Sequence, residues 1–417
     1  MKTRSPWAWI PTLYFTEALP YVAVMSVTVI MYKRLGVSNS DIAFYTAWLN
    51  FPWVIKPLWS PFVDLLKTKR WWIVSMQLLI GAGLAGVALT IPAPFFLRAT
   101  LAIFWLLAFG SATHDIAADG FYMLELSADR QAFFIGIRNL CYRLALLTGQ
   151  GALVILAGLL EESTGRIAFS WSLVFMIMAG LLIGLGLWHR FILPHPKDDA
   201  PRSKMSAIMP EFLKTFEAFF RKKGIVAALL FLLTFRLGES QLVKMASPFL
   251  LDDRSLGGLG LNTSQVGLAY GTLGMVALVL GGILGGVVLS AFGGLRRWLW
   301  PMTLALFLPN IAYLYMAMVQ PGSLWVIYSC VVVEQFGYGF GFTAYTMYMM
   351  MFSAGSNKTS HYAVCTGFMA LGMMLPGMIS GRIQELAGYP NFFLVVVICG
   401  LPVFLVLPFL QKYLNKQ

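Results

Sequence analysis

The chain has 417 residues, of which 59% are hydrophobic, 15% aromatic and only 12% charged. A soluble protein carries about 25% charged residues, so this composition excludes an ordinary globular domain. The net charge of +12 is large enough to raise nucleic acid as a partner, but the distribution described below assigns it to membrane topology instead.

Apolar runs of about 20 residues, the length that crosses a bilayer, recur from end to end. Strands of a membrane barrel would show alternating segments of about 10 residues. The pattern predicts an all-α, polytopic membrane protein with twelve transmembrane helices in two six-helix bundles. The expected spans lie near 7–32, 40–61, 71–92, 95–123, 131–159, 168–193, 224–251, 264–291, 298–319, 323–352, 361–381 and 390–411. The opening "MKTRSPWAWIPTLYF" lacks a small-residue cleavage site, so the first span is expected to remain.

Taken in order, the spans carry a short set of polar groups. Span one holds Glu17. Span two holds Lys56, flanked by Asn50, Trp53 and Trp59. Span four ends in "GSATHDIAADG", with His114, Asp115 and Asp119. Span five holds Arg138, Tyr142 and Arg143. Span seven holds Arg236 and Glu239, with Lys244 expected to snorkel outward. Span ten holds Glu334, then alternates glycine with Phe and Tyr through Tyr338 and Tyr345. His189, His195 and His361 read as interfacial. The four cysteines lie in apolar spans without metal-ligand spacing, so neither a disulfide framework nor a zinc site is expected, and no cofactor.

With both termini inside, nineteen of the 30 Lys and Arg fall in cytoplasmic segments, six outside and five within the spans. This is the positive-inside pattern, with some attraction to anionic headgroups and no call for nucleic acid. The longest polar interval follows span six and divides the chain into 1–194, a linker 195–223, and 224–417. Within the linker, Met205, Ile208, Met209, Phe212, Phe216, Phe219 and Phe220 recur at helical spacing. They predict an amphipathic helix, lying on the inner surface or docked on the bundle.

The two halves echo each other. "WSPFVDLLKTKRWW" follows span two and "GGVVLSAFGGLRRWLW" follows span eight. Both resemble the cytoplasmic loop motif of the major facilitator superfamily, G-x-x-x-D-R-x-G-R-R. The first keeps Asp64 with Lys67, Lys69 and Arg70. The second has Ser290 in place of the aspartate, with Arg296 and Arg297 displaced by two positions. The resemblance implies gating roles for Asp64, Lys67, Arg70, Arg296 and Arg297. It also implies that spans one, four, seven and ten line a central cavity, and all four carry an acid here.

A charge at a helix centre costs about 2.5–3.5 kcal/mol on insertion scales, so a chain that only needed to span would not keep many. Asp115 and Asp119 are four apart and share a helix face, and two carboxylates that close resist double ionisation. The expected proton-coupling residues are Asp115, Glu17, Glu334 and Asp119, with Asp119 equally able to brace the inner gate. The expected substrate-binding residues are Arg143, Arg236, Glu239, Lys56, Arg138, Tyr142, Trp53, Tyr338 and Tyr345. His114 reads either as a proton relay or as a packed histidine.

"KPLWSPFVD", "DIAADGFYMLEL", "NLCYRLALLTGQG" and "EQFGYGFGFTAY" resemble the AmpG-type muropeptide permeases, which share a branch of the superfamily with acetyl-coenzyme A transporters. That resemblance implies import of anhydro-muramyl saccharides and peptides with protons, by a monomer of the bacterial inner membrane. Another saccharide or a coenzyme A thioester remains open as cargo, as does a non-transporting sensor on the same fold. An enzyme is not expected, because no nucleophile-and-base set, HExxH or GxSxG is present.

Overall fold

The computed structural model describes residues 5–196, 199, 214–355 and 358–414. Among them every regular element is helical. Hydrocarbon offers backbone amides no partner, and a helix closes those hydrogen bonds within itself.

The twelve-span count expected from the sequence agrees with the helices. They are Pro6–Arg34, residues 39–66, Lys69–Thr90, Phe96–Glu125, residues 128–164, Ile167–Ile192, Ile225–Leu251, Thr263–Ala291, Gly294–Val319, Leu324–Ser353, and the run Lys358–Cys399 continued by Pro402–Leu414. Among the described residues, nine stretches are long and apolar enough to cross a membrane, and the last of them, Ser360–Lys412, has 53 residues. One crossing takes about 20, so that stretch is two spans. They join at Gly388, whose φ of 75° a side chain would resist.

Local signals set the ends. Ser38 and Thr68 cap the helices that follow them, each accepting from a backbone N–H at 3.1 Å. Asn262 and Gln265 form a reciprocal capping box. Several spans are interrupted. Wide π turns occur at Ala23–Val27, Leu147–Ala152 and Gly267–Gly274. Span two breaks at Leu49–Asn50, and span seven breaks at Phe235–Arg236.

The chain packs as two units. One comprises residues 5–31 and 55–196 with Asp199; the other comprises Tyr32–Val54, 214–355 and 358–414. The first half of the second span therefore packs with spans seven to twelve. The first unit has a core of Trp9, Leu13, Ile73, Ala117, Phe121 and Phe134. The second is built around Phe231, Leu299, Met302, Tyr345 and Leu407. The glycines of span ten lie at close contacts: a Cβ on Gly339 would collide with the carbonyl of Leu278, and one on Gly281 with the carbonyl of Phe336. Spans eight and ten thus meet backbone to backbone. Large apolar side chains such as Leu89, Trp325 and Leu405 point outward, as expected of helices bathed in lipid.

Of the amphipathic linker helix, residues up to 213 lie outside the described residues. Residues 214–220 are helical, and Phe219 is fully buried against Phe352 and Phe368, so this part docks on the bundle.

Candidate functional site

In the first unit, the acids expected from the sequence gather with two cations. Lys56 approaches Asp115 at 3.4 Å. Arg138 holds Asp119 at 2.7 Å, and Tyr14 donates to the same carboxylate oxygen at 3.5 Å. The Arg138 guanidinium lies over the Tyr14 ring at 4.3 Å and near Tyr122 at 5.7 Å. Helical spacing explains the set: Asp115 and Asp119 are one turn apart on span four. Glu17 is buried within electrostatic reach of Asp115, Asp119, Arg138 and Lys56. Among the described residues its Oε2 has no hydrogen-bond partner and Glu17 makes no ion pair. Tyr142 and Arg143 are half-buried on span five.

In the second unit, the break in span seven places Arg236 just before the helix Leu237–Leu251, with Glu239 in its first turn. The two form a bidentate pair, Nε donating to Oε2 at 2.7 Å and Nη2 to Oε1 at 3.0 Å. Arg236 also lies 5.3 Å from the Tyr338 ring and 5.2 Å from Phe342. Both partners are buried, and such a pair needs its full complement of contacts to offset desolvation. Glu334 is buried too, but its partner is the neutral Gln335, which donates to Oε2 at 2.9 Å. Tyr345 sits in the apolar core, donating to the Leu232 carbonyl at 2.7 Å and stacked on Phe235. Trp53 is half-buried in the Tyr32–Val54 segment.

Of the residues expected to gate, the Asp64 side chain lies outside what the structure describes. Arg70 donates to the carbonyls of Leu193 and Arg190. The backbone N–H groups of Lys69 and Arg70 donate to Asp199 at 2.6 and 3.1 Å, so the segment after span six caps span three. Lys67 is exposed, its ammonium 5.9 Å from the Trp71 ring. Arg296 and Arg297 are exposed.

Three readings of the sequence need correction. His361, read as interfacial, is buried, its Nε2 3.2 Å from the Thr215 carbonyl. His189 is not interfacial but fully buried. Its Nδ1 bonds Gln77 Oε1 at 2.9 Å and its Nε2 bonds Thr12 Oγ1 at 2.9 Å. Gln77 Nε2 in turn bonds His114 Nε2 and Thr16, each at 2.9 Å. This chain ties spans one, three, four and six, and its one sequence signal was an amide, Gln77, alone in an apolar run. Lys244 does not snorkel: it is buried and donates to Thr46 Oγ1 at 3.0 Å. Its aliphatic stem packs beside Gly377.

A family model described as the Major Facilitator Superfamily matches residues 12–380. A relative from Rickettsia conorii named "Putative transporter AmpG 4" is 25% identical over 418 residues, covering 97% of this chain and 96% of its own length. The Escherichia coli K12 "Anhydromuropeptide permease" is 25% identical over 398 residues, covering 94% of this chain and 76% of its own length. Among solved structures, a POT family transporter superposes with a TM-score of 0.74 at 12% identity, covering 97% of this chain and 95% of that one. The nucleoside transporter NupG superposes with a TM-score of 0.70 at 15% identity, covering 98% of each chain.

Proposed function

The chain belongs to the major facilitator superfamily, and from that premise we propose that it is a proton-coupled importer of muropeptides. That it is a multi-pass membrane carrier for a small molecule follows from the family. The finer reading takes the cargo to be an anhydro-muramyl saccharide or peptide, as the names of its relatives suggest. It places the protein as a monomer in the bacterial inner membrane, both termini cytoplasmic, its basic loops against anionic lipid. Transport proceeds by alternating access.

One observation supports proton coupling. Of the five acids expected on spans one, four, seven and ten, three have a cation of their own: Asp115 has Lys56, Asp119 has Arg138, and Glu239 has Arg236. Among the described residues Glu17 and Glu334 make no ion pair. A carboxylate with no cation to abandon can take up and release a proton without breaking a salt bridge. We therefore assign the proton to Glu17 and Glu334, one in each unit. Asp115 and Asp119 hold Lys56 and Arg138 in place, and cargo carboxylates compete for these cations and for Arg143 and Arg236. Tyr142, Trp53 and Tyr338 offer ring faces to sugars.

The deciding experiment is uptake of a labelled N-acetylglucosaminyl-anhydro-muramyl peptide into proteoliposomes, with and without an inward proton gradient. Accumulation that needs the gradient is the expected result. Uptake that ignores the gradient overturns the coupling, and no uptake overturns the cargo. In that case other saccharides and coenzyme A thioesters are the next substrates to try.

A further inference from the structure

The seam between spans nine and ten holds two polar groups that the rest of the bundle leaves unused. Asn310 and Tyr313 are buried, at 2% and 0% exposure. Among the described residues, neither Asn310 Oδ1 nor the Tyr313 hydroxyl has a hydrogen-bond partner. Buried polar groups are seldom left so, because their desolvation then goes uncompensated. The two lie three residues apart and share a face of the half-helix Asn310–Val319. The Tyr313 ring is wedged between Phe249 and Phe393, at ring separations of 6.2 and 5.4 Å.

The register of the two helices fixes what they face. A Cβ on Gly341 would meet the carbonyl of Met302 and the Leu306 side chain. One on Gly337 would meet the carbonyl of Ala305 and the Pro309 ring. The contact therefore runs antiparallel, advancing three residues along span nine for four along span ten. Carried on in the same direction, it brings Glu334 level with Asn310, and Cys330 level with Tyr313. The electrostatics agree: the groups acting on Tyr313 are Glu334, Tyr270 and Cys330. Glu334 is itself buried, and its Oε2 accepts from Gln335 at 2.9 Å. The other titratable groups near it have partners elsewhere. Glu239, on span seven, is held by Arg236, which also lies 5.3 Å from the Tyr338 ring. Tyr270, on span eight, is bonded to Gln335.

A buried carboxyl that takes up and releases a proton needs two kinds of neighbour. Ionised, it needs donors; protonated, its O–H needs an acceptor. Gln335 supplies one donor. The Tyr313 hydroxyl is a second donor, and Asn310 Oδ1 is an acceptor. We propose that Asn310 and Tyr313 are the positioning residues for the proton on Glu334: Tyr313 donates to the carboxylate, and Asn310 accepts from the carboxylic acid. Neither gains or loses a proton, and the one that moves goes on and off Glu334 alone. This rests on the reading of Glu334 as a proton carrier.

Infrared difference spectra between acid and alkaline pH, on purified protein in lipid without cargo, test it. Glu334→Gln should remove a carboxyl C=O band. If no band is lost, the proton reading of Glu334 fails, and the roles of Asn310 and Tyr313 fall with it. With the band assigned, Asn310→Leu should raise its frequency, because the acid O–H loses its acceptor. Asn310→Leu and Tyr313→Phe should also move the pH at which the band appears, in opposite senses. One removes a partner of the neutral form and the other a partner of the charged form. Each shift should be at least about one pH unit, which is tenfold in the protonation equilibrium. Asn310→Ala serves should Asn310→Leu not assemble. Shifts of the same sense, or none in folded variants, would mean that the two residues only pack, and would overturn the assignment.

Discussion

Arg138 and Asp119 meet at 2.7 Å between spans five and four, and the guanidinium lies at the same time 4.3 Å from the Tyr14 ring. The pair is partly exposed, at 27% and 37% of the side chains, so water weakens it. Arg138→Ala should cost about 1–2 kcal/mol, through a lost ion pair and lost stacking on Tyr14. Arg138→Ala with Asp119→Asn should cost less than the sum of the two singles. A double-mutant cycle on thermal unfolding in detergent reads the difference, and strict additivity would show that the pair contributes nothing.

Glu239 and Glu334 should part company when each is made neutral. Glu239→Gln leaves the buried Arg236 without its bidentate partner, and breaking such a pair costs about 3–5 kcal/mol. Glu334→Gln keeps the shape, removes no ion pair, and should change stability by less than about 1 kcal/mol. Unfolding temperatures of the two variants measure this directly; a similar loss in both would contradict the charge assignment. Under the proposed mechanism, Glu17→Gln and Glu334→Gln also abolish gradient-driven accumulation while leaving exchange of cargo across the membrane.

Gln77 satisfies two histidines and a threonine at once. Gln77→Leu would strand His189 Nδ1 and His114 Nε2 in an apolar interior, where an unmade hydrogen bond costs about 1–3 kcal/mol per group. A loss of about 3 kcal/mol is therefore expected, with Gln77→Met no better. Hydrogen exchange across spans one, three, four and six should rise together in the variant. A rise confined to span three would mean that the chain of bonds does not tie the four helices.

The glycine run of span ten predicts a sharp contrast. Gly339→Val drives a side chain into the Leu278 carbonyl and should cost about 3 kcal/mol or more, or prevent assembly. Gly180→Ala meets nothing within 4 Å and should be neutral or slightly stabilising, because alanine favours helix. Yield of monodisperse protein and its melting temperature separate the two.

Much of this was legible in the sequence, for a physical reason. Hydrocarbon penalises polar groups so heavily that apolar length alone marks the spans, and an acid such as Glu334 stands out against its neighbours. Partner choice was harder to read. Helical spacing put Asp115 and Asp119 on one face, but not which cation each would meet, since Lys56 and Arg138 come from other spans. Arg236 and Glu239 are three apart, yet their bidentate contact depends on a helix break at Phe235–Arg236, for which Gly238 was the one local sign. His189 failed as a reading because it lies near the end of span six, where depth along the helix suggests an interface. Its burial is set by spans one and three, to which its own helix gives no clue.

The π turn at Ala23–Val27 has a consequence for length. A π turn holds one residue more than the α-helix around it, and each residue turns a helix by about 100°. The wide turn takes in that residue within one revolution, so the helix on either side, with Glu17 before it and Lys33 after it, keeps its phase. Removing one of the five would let the stretch relax into an ordinary α turn with nearly the same phase. An added residue, with the wide turn already full, would instead rotate Lys33 by about 100° relative to Glu17. A single-codon deletion inside the stretch should therefore be borne more easily than a single-codon insertion.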